Sequence, residues 1–337
     1  RQTPASCNER GAGHRRPGSF MITAAKLSII GRRLLQTVPV IVLSTFIVFG
    51  LLKLVPGDVA VTLAGDNASE QRITEIREIY GLDRPFFVQY GKWLWKAAHG
   101  DLSNSLVSSE AVLTSIKRCL PHTLLIVALA LLLALLVGIP LGIAAASRPG
   151  SWIDSFVMAI ASLGVAVPNF WLGMLLVAFF ALEMNWLPAT GAVAFSQDPW
   201  GALRHAILPA VALASGGIAE VARQLRSSLV EILSSQQVRT LHAKGLPPSS
   251  ILWRHGLKNV SVNLLTVVSL LANRMLAATV VVEAVFAIPG MGSLIVNAAM
   301  NRDFPVVQGV VFAMVLIVVT LNLLTDILYS VLDPRIS

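Results

Sequence analysis

Six long apolar runs divide the chain, and short polar stretches rich in lysine and arginine alternate with them. A helix that crosses a bilayer needs roughly 20 mostly apolar residues. Residues 34–55 meet that length with Lys53 alone charged, at the end of the run. Residues 123–146 carry no charge. Residues 156–182 carry none either, but Pro168-Asn169 interrupts them, so this run reads as one kinked span or as two half-helices. Residues 207–233 hold Glu220, Arg223 and Arg226; residues 260–288 hold Arg274 and Glu283; residues 304–331 hold Asp326. The pattern predicts an all-α integral membrane protein with about six transmembrane helices.

Between the first and second runs lies a long polar segment, residues 56–118, with eight acidic and seven basic residues. It predicts a folded cap rather than a linker. A short helix is expected over 69–80, started by Ser69 and ended by Gly81. Trp93 and Trp95 follow in 89–98, where they either pack in the cap or sit at headgroup level. Charge sets the orientation. With the N-terminus inside, the inner segments hold Lys26, Arg32, Arg33, Arg148, Arg223, Arg226, Arg239, Lys244, Arg254, Lys258 and Arg335. The short outer loops hold only Arg204 and Arg302. Basic residues in short loops mark the cytoplasmic side, so both termini are expected there.

Composition agrees. Of 337 residues, 55% are hydrophobic and 13% charged, with mean hydropathy +0.72. Soluble domains average nearer 25% charged. The net charge of +8 is spread through loops rather than gathered in a patch, which argues against nucleic-acid binding. Cys7 and Cys119 fall on opposite sides of this topology and do not pair. Residues 1–20 read as a basic, glycine- and proline-bearing leader, with Met21 as a plausible natural start.

The loop between the fourth and fifth runs is the most informative. Residues 234–245 read as a helix of about three turns. Ser234 or Ser235 can cap its first amides, Lys244 suits its negative end, and Gly245 can close it before Pro247-Pro248. Such a helix either lies on anionic lipid or docks a cytosolic partner. A second helix is expected from Ser249 or Ser250, with Ile251, Leu252 and Leu257 on one face.

Its sequence, Val238-Arg239-Thr240-Leu241-His242-Ala243-Lys244-Gly245-Leu246, is similar to the V-R-T-A-R-A-K-G-L cytoplasmic loop of bacterial ABC importer permeases. Further similar strings stand in order along the chain. They are Pro56-Gly57-Asp58, residues 80–85, Gly100-Asp101-Leu102, residues 138–142, 168–173 and 186–191, Val282-Glu283-Ala284-Val285-Phe286, residues 289–292 and residues 332–335. The chain thus resembles the inner-membrane permease subunits of the peptide/nickel group, in particular the dipeptide/oligopeptide B-type permease. Leu241 and His242 depart from the pattern, which usually has Ala and Arg there.

The resemblance implies a type I ABC importer permease-like bundle in the bacterial inner membrane. Residues 1–33 are then a leader and cytoplasmic segment, 34–55 the first helix, 56–118 the outer cap, and 119–337 a five-helix core with a coupling loop at 226–258. The implied partners are a second, non-identical permease, two cytosolic ABC ATPases and an extracytoplasmic solute-binding protein. ATP and magnesium are used by the ATPase, because this chain carries no G-x-x-x-x-G-K-[ST] loop, and no cofactor or metal binds here. Val238, Arg239, Thr240, Leu241, Ala243, Lys244 and Gly245 would couple to the ATPase. The implied cargo is a di- or oligopeptide, with nickel, glutathione, sugars and opines as alternatives.

Charges inside spans are costly and mark candidate sites. Asn169, Glu220, Arg223, Asn273, Arg274 and Glu283 are the candidates for the translocation path. Glu220 and Arg223 are three apart and can pair with each other instead, and Glu283 can cap the Pro289-Gly290 turn. Ser215-Gly216-Gly217 reads as close helix packing. An ion-coupled secondary transporter is the rival class; it would show inverted repeats and midplane carboxylates. A non-transporting membrane scaffold is a further alternative, though it would need no capped docking helix between spans.

Overall fold

A computed structural model of the chain describes residues 18–54, 60–61, 68–80 and 83–332. The leader through residue 17, Cys7, Pro56-Gly57-Asp58, Gly81 and residues 333–335 lie outside the described residues.

Eleven helices account for most of the described residues. They are α1 (Gly18–Leu54), α2 (Glu70–Tyr80), α3 (Phe86–Ala98), α4 (Val112–Ser147) and α5 (Trp152–Ala166). Next come α6 (Asn169–Leu176, widened into a π-helix over Val177–Glu183), α7 (Pro199–Leu233) and α8 (Gln236–Ala243). Last are α9 (Pro248–Val285), α10 (Met291–Met300) and α11 (Phe304–Leu332). Among the described residues the only β contact is an isolated bridge between Asn104 and Ala111. A 36-residue helix such as α4 is about 54 Å long, well beyond a hydrocarbon core of about 30 Å. The long helices therefore project past the lipid.

Five helices are long and apolar enough to cross a membrane, and α5 and α6 form a sixth, broken unit bent by 96°. The break falls at Val167 and Pro168. The expected interruption is thus a sharp corner rather than a mild kink. Its contacts run along part of α7. Asp154 meets Arg226, the Gly164 position abuts the Ser215 carbonyl, and Gly173 abuts Ala212 and Phe286. By length and composition the bundle has five spans, or six with the bent pair taken as one.

α7 is the centre of the bundle, buried along most of its length. Three glycines let its neighbours approach. A Cβ on Gly138 would stand 2.9 Å from Val221 Cβ, and one on Gly142 would stand 2.8 Å from the Ala222 carbonyl oxygen. On α7 itself, a Cβ at Gly217 would stand 3.1 Å from Ala134 Cβ and 2.7 Å from Met275 Cε. With no hydrophobic force between helices in lipid, such close approach supplies the packing energy. The small-residue reading of residues 215–217 is thereby accounted for.

The segment between α1 and α4 packs against the bundle through an aromatic cluster. Phe46 and Phe49 of α1 meet Phe86, Tyr90 and Trp93 of α3, and Trp93 stacks edge-on to Phe312 of α11. Tyr90 Oη donates to the Val42 carbonyl at 2.8 Å, with Thr45 Oγ1 2.9 Å away. The two tryptophans divide the expectation: Trp93 packs in the cap, while Trp95 is exposed. Buried Asp303 fastens the other side, accepting from Ser105 Oγ at 2.5 Å and Leu106 N at 3.0 Å.

Candidate functional site

α8 hangs between α7 and α9 on the side where the basic residues gather. Ser235 is its N-cap, accepting from Val238 N at 3.4 Å. Its far end closes with Gly245 N donating to His242 O at 2.9 Å and Leu246 N to Leu241 O at 3.2 Å. This is the Schellman pattern, with Gly245 at φ +79° in the left-handed region that glycine enters without a Cβ clash. Val238 is buried, and Leu241 and Leu246 are half-buried. Arg239, Thr240, His242, Ala243, Lys244 and Gly245 are exposed. Val238 therefore fastens α8 to its own chain, and the remaining residues form the free face.

The expected second helix is not separate. It starts at Pro248, passes through a π-turn over Ile251–Gly256 and continues into α9 as one 38-residue unit. Ile251 is buried, and Gly256 packs against Leu229 of α7. Both ends of the α8 loop are thus joined to spans without a slack linker.

The intramembrane polar residues sort differently from the expectation. Glu220 does not pair with Arg223. It pairs with Arg274 of α9, and Arg223 is exposed one turn further along α7. The reason is interhelical: α7 and α9 face each other at this depth, so Arg274 reaches the carboxylate directly. Arg226 instead makes a two-pronged bond to Asp154, Nε at 2.8 Å and Nη2 at 2.6 Å, and Asp154 also accepts from Gly150 N at 2.9 Å. That pair ties the α8-proximal part of α7 to the start of α5. Sequence reasoning missed Asp154; its position three residues after Ser151, just inside a new helix, was the available signal.

Glu283 is fully buried. It accepts from Thr123 Oγ1 at 2.6 Å and from Ser293 N at 3.0 Å, at the start of α10, beside Gly290. A carboxylate is stabilised at a helix N-terminus, so Glu283 anchors the turn. Asn273 Nδ2 donates to Asn322 Oδ1 of α11 at 3.0 Å, leaving Asn273 Oδ1 unpartnered. Asn169 opens α6 at the corner and is half-buried. Cys119 is buried and free. Among the described residues there is no cluster of metal-ligating side chains.

Five or six apolar spans, with a short capped helix bearing exposed Arg239 and Lys244 between two of them, define a multi-pass helical membrane protein. Comparison with known proteins narrows this. The family described as "Binding-protein-dependent transport system inner membrane component" matches residues 138–337, and its N-terminal companion matches residues 26–130. The chain belongs to this family; its members are transport permeases, not enzymes, and ATP is used by a separate subunit. A protein of Brucella abortus (strain 2308), provisionally named a peptide transport system permease, is 41% identical over 92% of this chain and 98% of its own length. The dipeptide transport system permease DppB of Alkalihalophilus pseudofirmus is 36% identical over 91% of this chain and 98% of its own. The glutathione transport system permease GsiC of Salmonella paratyphi A is also 36% identical, over 92% and 99%. Among solved structures, the inward-facing MetNI methionine ABC transporter aligns with TM-score 0.54 at 17% identity, over 65% of this chain and 96% of that chain. That likeness bears on the fold, and it agrees with the expected all-α permease bundle.

Proposed function

We propose that this chain forms half of the translocation path of an ATP-driven importer of short peptides, and that α8 is the element through which a cytosolic ATPase moves it. The observation that carries the reading is α8: a capped helix, pinned by Val238, with Arg239 and Lys244 exposed, joined rigidly to α7 and α9. A helix lying on lipid would turn apolar residues outward, whereas the one fully buried apolar residue of α8 faces its own chain. In this reading the N- and C-termini and α8 are cytoplasmic. Arg239 and Lys244 meet acidic residues of the ATPase groove, while Thr240, Ala243 and Gly245 fit its wall. A second, non-identical permease completes the path, and a solute-binding protein delivers cargo to the cap. The relatives' names supply the cargo class, since a dipeptide and glutathione are both short peptides.

The test is co-purification from native membranes followed by ATPase and uptake assays with candidate binding proteins. A second permease and ATPase subunits should come along, and peptide-loaded binding protein should raise hydrolysis. Gly245→Trp places a bulky residue at φ +79°, a conformation that costs a non-glycine residue about 1–2 kcal/mol. Uptake should fall while the ATPase continues to turn over; unchanged uptake refutes the docking assignment.

A further inference from the structure

Two ion pairs join the crossings, and they differ in kind. Asp154 and Arg226 are closed: both guanidinium bonds are made, Gly150 adds a third, and the Asp154 side chain is 5% exposed. Glu220 and Arg274 are open. Among the described residues they share a single nitrogen–oxygen contact, and the side chains stay 32% and 61% exposed. One carboxylate oxygen and most of the guanidinium donors are left without a partner.

The pair lies deep within two apolar helices, α7 and α9. A charged group facing hydrocarbon at that depth is strongly unfavourable, so the open side of this pair looks onto water or polar ligand. Asn263, Thr266, Leu270, Arg274, Ala277 and Val281 form the exposed stripe of α9 at helical spacing, and Arg274 is the one charge among them. An acceptor oxygen beside a forked cation suits a ligand that carries both an ammonium and a carboxylate, and Arg223, exposed one turn along α7, adds a further cation near the pair. Arg matches a carboxylate with two parallel bonds.

We propose that Glu220 and Arg274 form a transient site for the charged termini of a peptide at mid-membrane, Glu220 accepting from the α-ammonium and Arg274 donating to the carboxylate. This rests on the importer reading above. The pair opens as the peptide arrives and re-forms as it leaves, so neither charge is stranded.

The complex of this chain with its partner permease, ATPases and binding protein, reconstituted in liposomes, provides the test. Glu220→Gln and Arg274→Gln should each lower peptide uptake per ATP hydrolysed at least tenfold. The exchanged variant, Glu220→Arg with Arg274→Glu, keeps the ion pair; it should assemble with wild-type thermal stability and remain at least tenfold impaired. Restored uptake in the exchanged variant means the pair is a strut, and overturns the proposal. Leu270→Cys in a Cys7→Ser background reports on the same wall without touching the pair. A charged thiol reagent should modify it, and saturating peptide delivered during turnover should slow that reaction severalfold. Absence of modification, or modification that peptide does not slow, overturns the site. A wild-type complex that moves no peptide refutes the importer reading itself, a result distinct from failure of the variants alone.

Discussion

Gly142→Ala adds a single methyl group at the tightest approach between α4 and α7. The new Cβ would lie 2.8 Å from the Ala222 carbonyl oxygen and 3.0 Å from Leu225 Cβ, where ordinary contact starts at 3.4 Å. Both neighbours belong to or adjoin the α7 backbone and cannot swing aside, so the helices must part by roughly half an ångström in a close-packed interior. Overpacking of this sort costs about 1–3 kcal/mol, while alanine in place of glycine returns about 1 kcal/mol of helix propensity. The net expectation is a loss of up to about 2 kcal/mol. Gly91→Ala in α3 is the control, because nothing lies within 4 Å of its Cβ; only the propensity gain of about 0.5–1 kcal/mol remains. Thermal unfolding in mild detergent, followed by tryptophan fluorescence, should show Gly142→Ala melting lower than wild type and Gly91→Ala higher. If both variants melt at or above wild type, the α4–α7 crossing is not the tight contact described.

Asp154→Ala leaves Arg226 without its carboxylate in the α8-proximal part of α7. Breaking a buried pair costs about 3–5 kcal/mol, and the 30% exposure of Arg226 places the loss near the lower end; chemical denaturation measures it, and a loss under about 1 kcal/mol contradicts the closed geometry. Tyr90→Phe removes the bond to the Val42 carbonyl and should cost about 1 kcal/mol, read as faster hydrogen exchange in α3; unchanged exchange means the aromatic cluster alone holds the cap. Glu110 gives a pH dependence. The bond from Arg118, then that from Ser115, holds its carboxyl below the usual value of 4.5, so its stabilising contribution is complete above that unfolded value and is lost as pH falls through the lower folded one. Exchange protection of residues 103–112 should therefore persist on acidification as far as the ordinary value of 4.5 and decline only below it; a decline already complete above that value refutes the assignment.

The spans were legible because hydropathy is a one-dimensional property, and the α8 loop because caps are local. Ser235, Gly245 and Pro247 act on their immediate neighbours, so their roles follow from order alone. The ion pairs were not legible. Glu220 meets Arg274 across 54 positions and Arg226 meets Asp154 across 72, and which of several charges pair depends on how α5, α7 and α9 rotate against one another. A three-residue spacing made Glu220 and Arg223 natural partners, and tertiary packing overrode it. Glu283 lay between the two cases. Its nearness to Gly290 suggested the turn, while Thr123, 160 positions away, was invisible. The corner at Pro168 was foreseen as a break, but its angle depends on what α6 finds to lean on beyond it.

The close crossing of α4 over α7 also fixes where motion can start and stop. Because α4 lies along α7 well beyond Gly138, Gly142 and Gly217, with Ile126 and Ala130 packed toward the Trp200 end, the two helices form one stiff beam rather than a rod on a pivot. A push delivered where α8 joins α7 would be carried by that beam to its far end, and the bond between Asp154 and Arg226 would make the start of α5 travel with it.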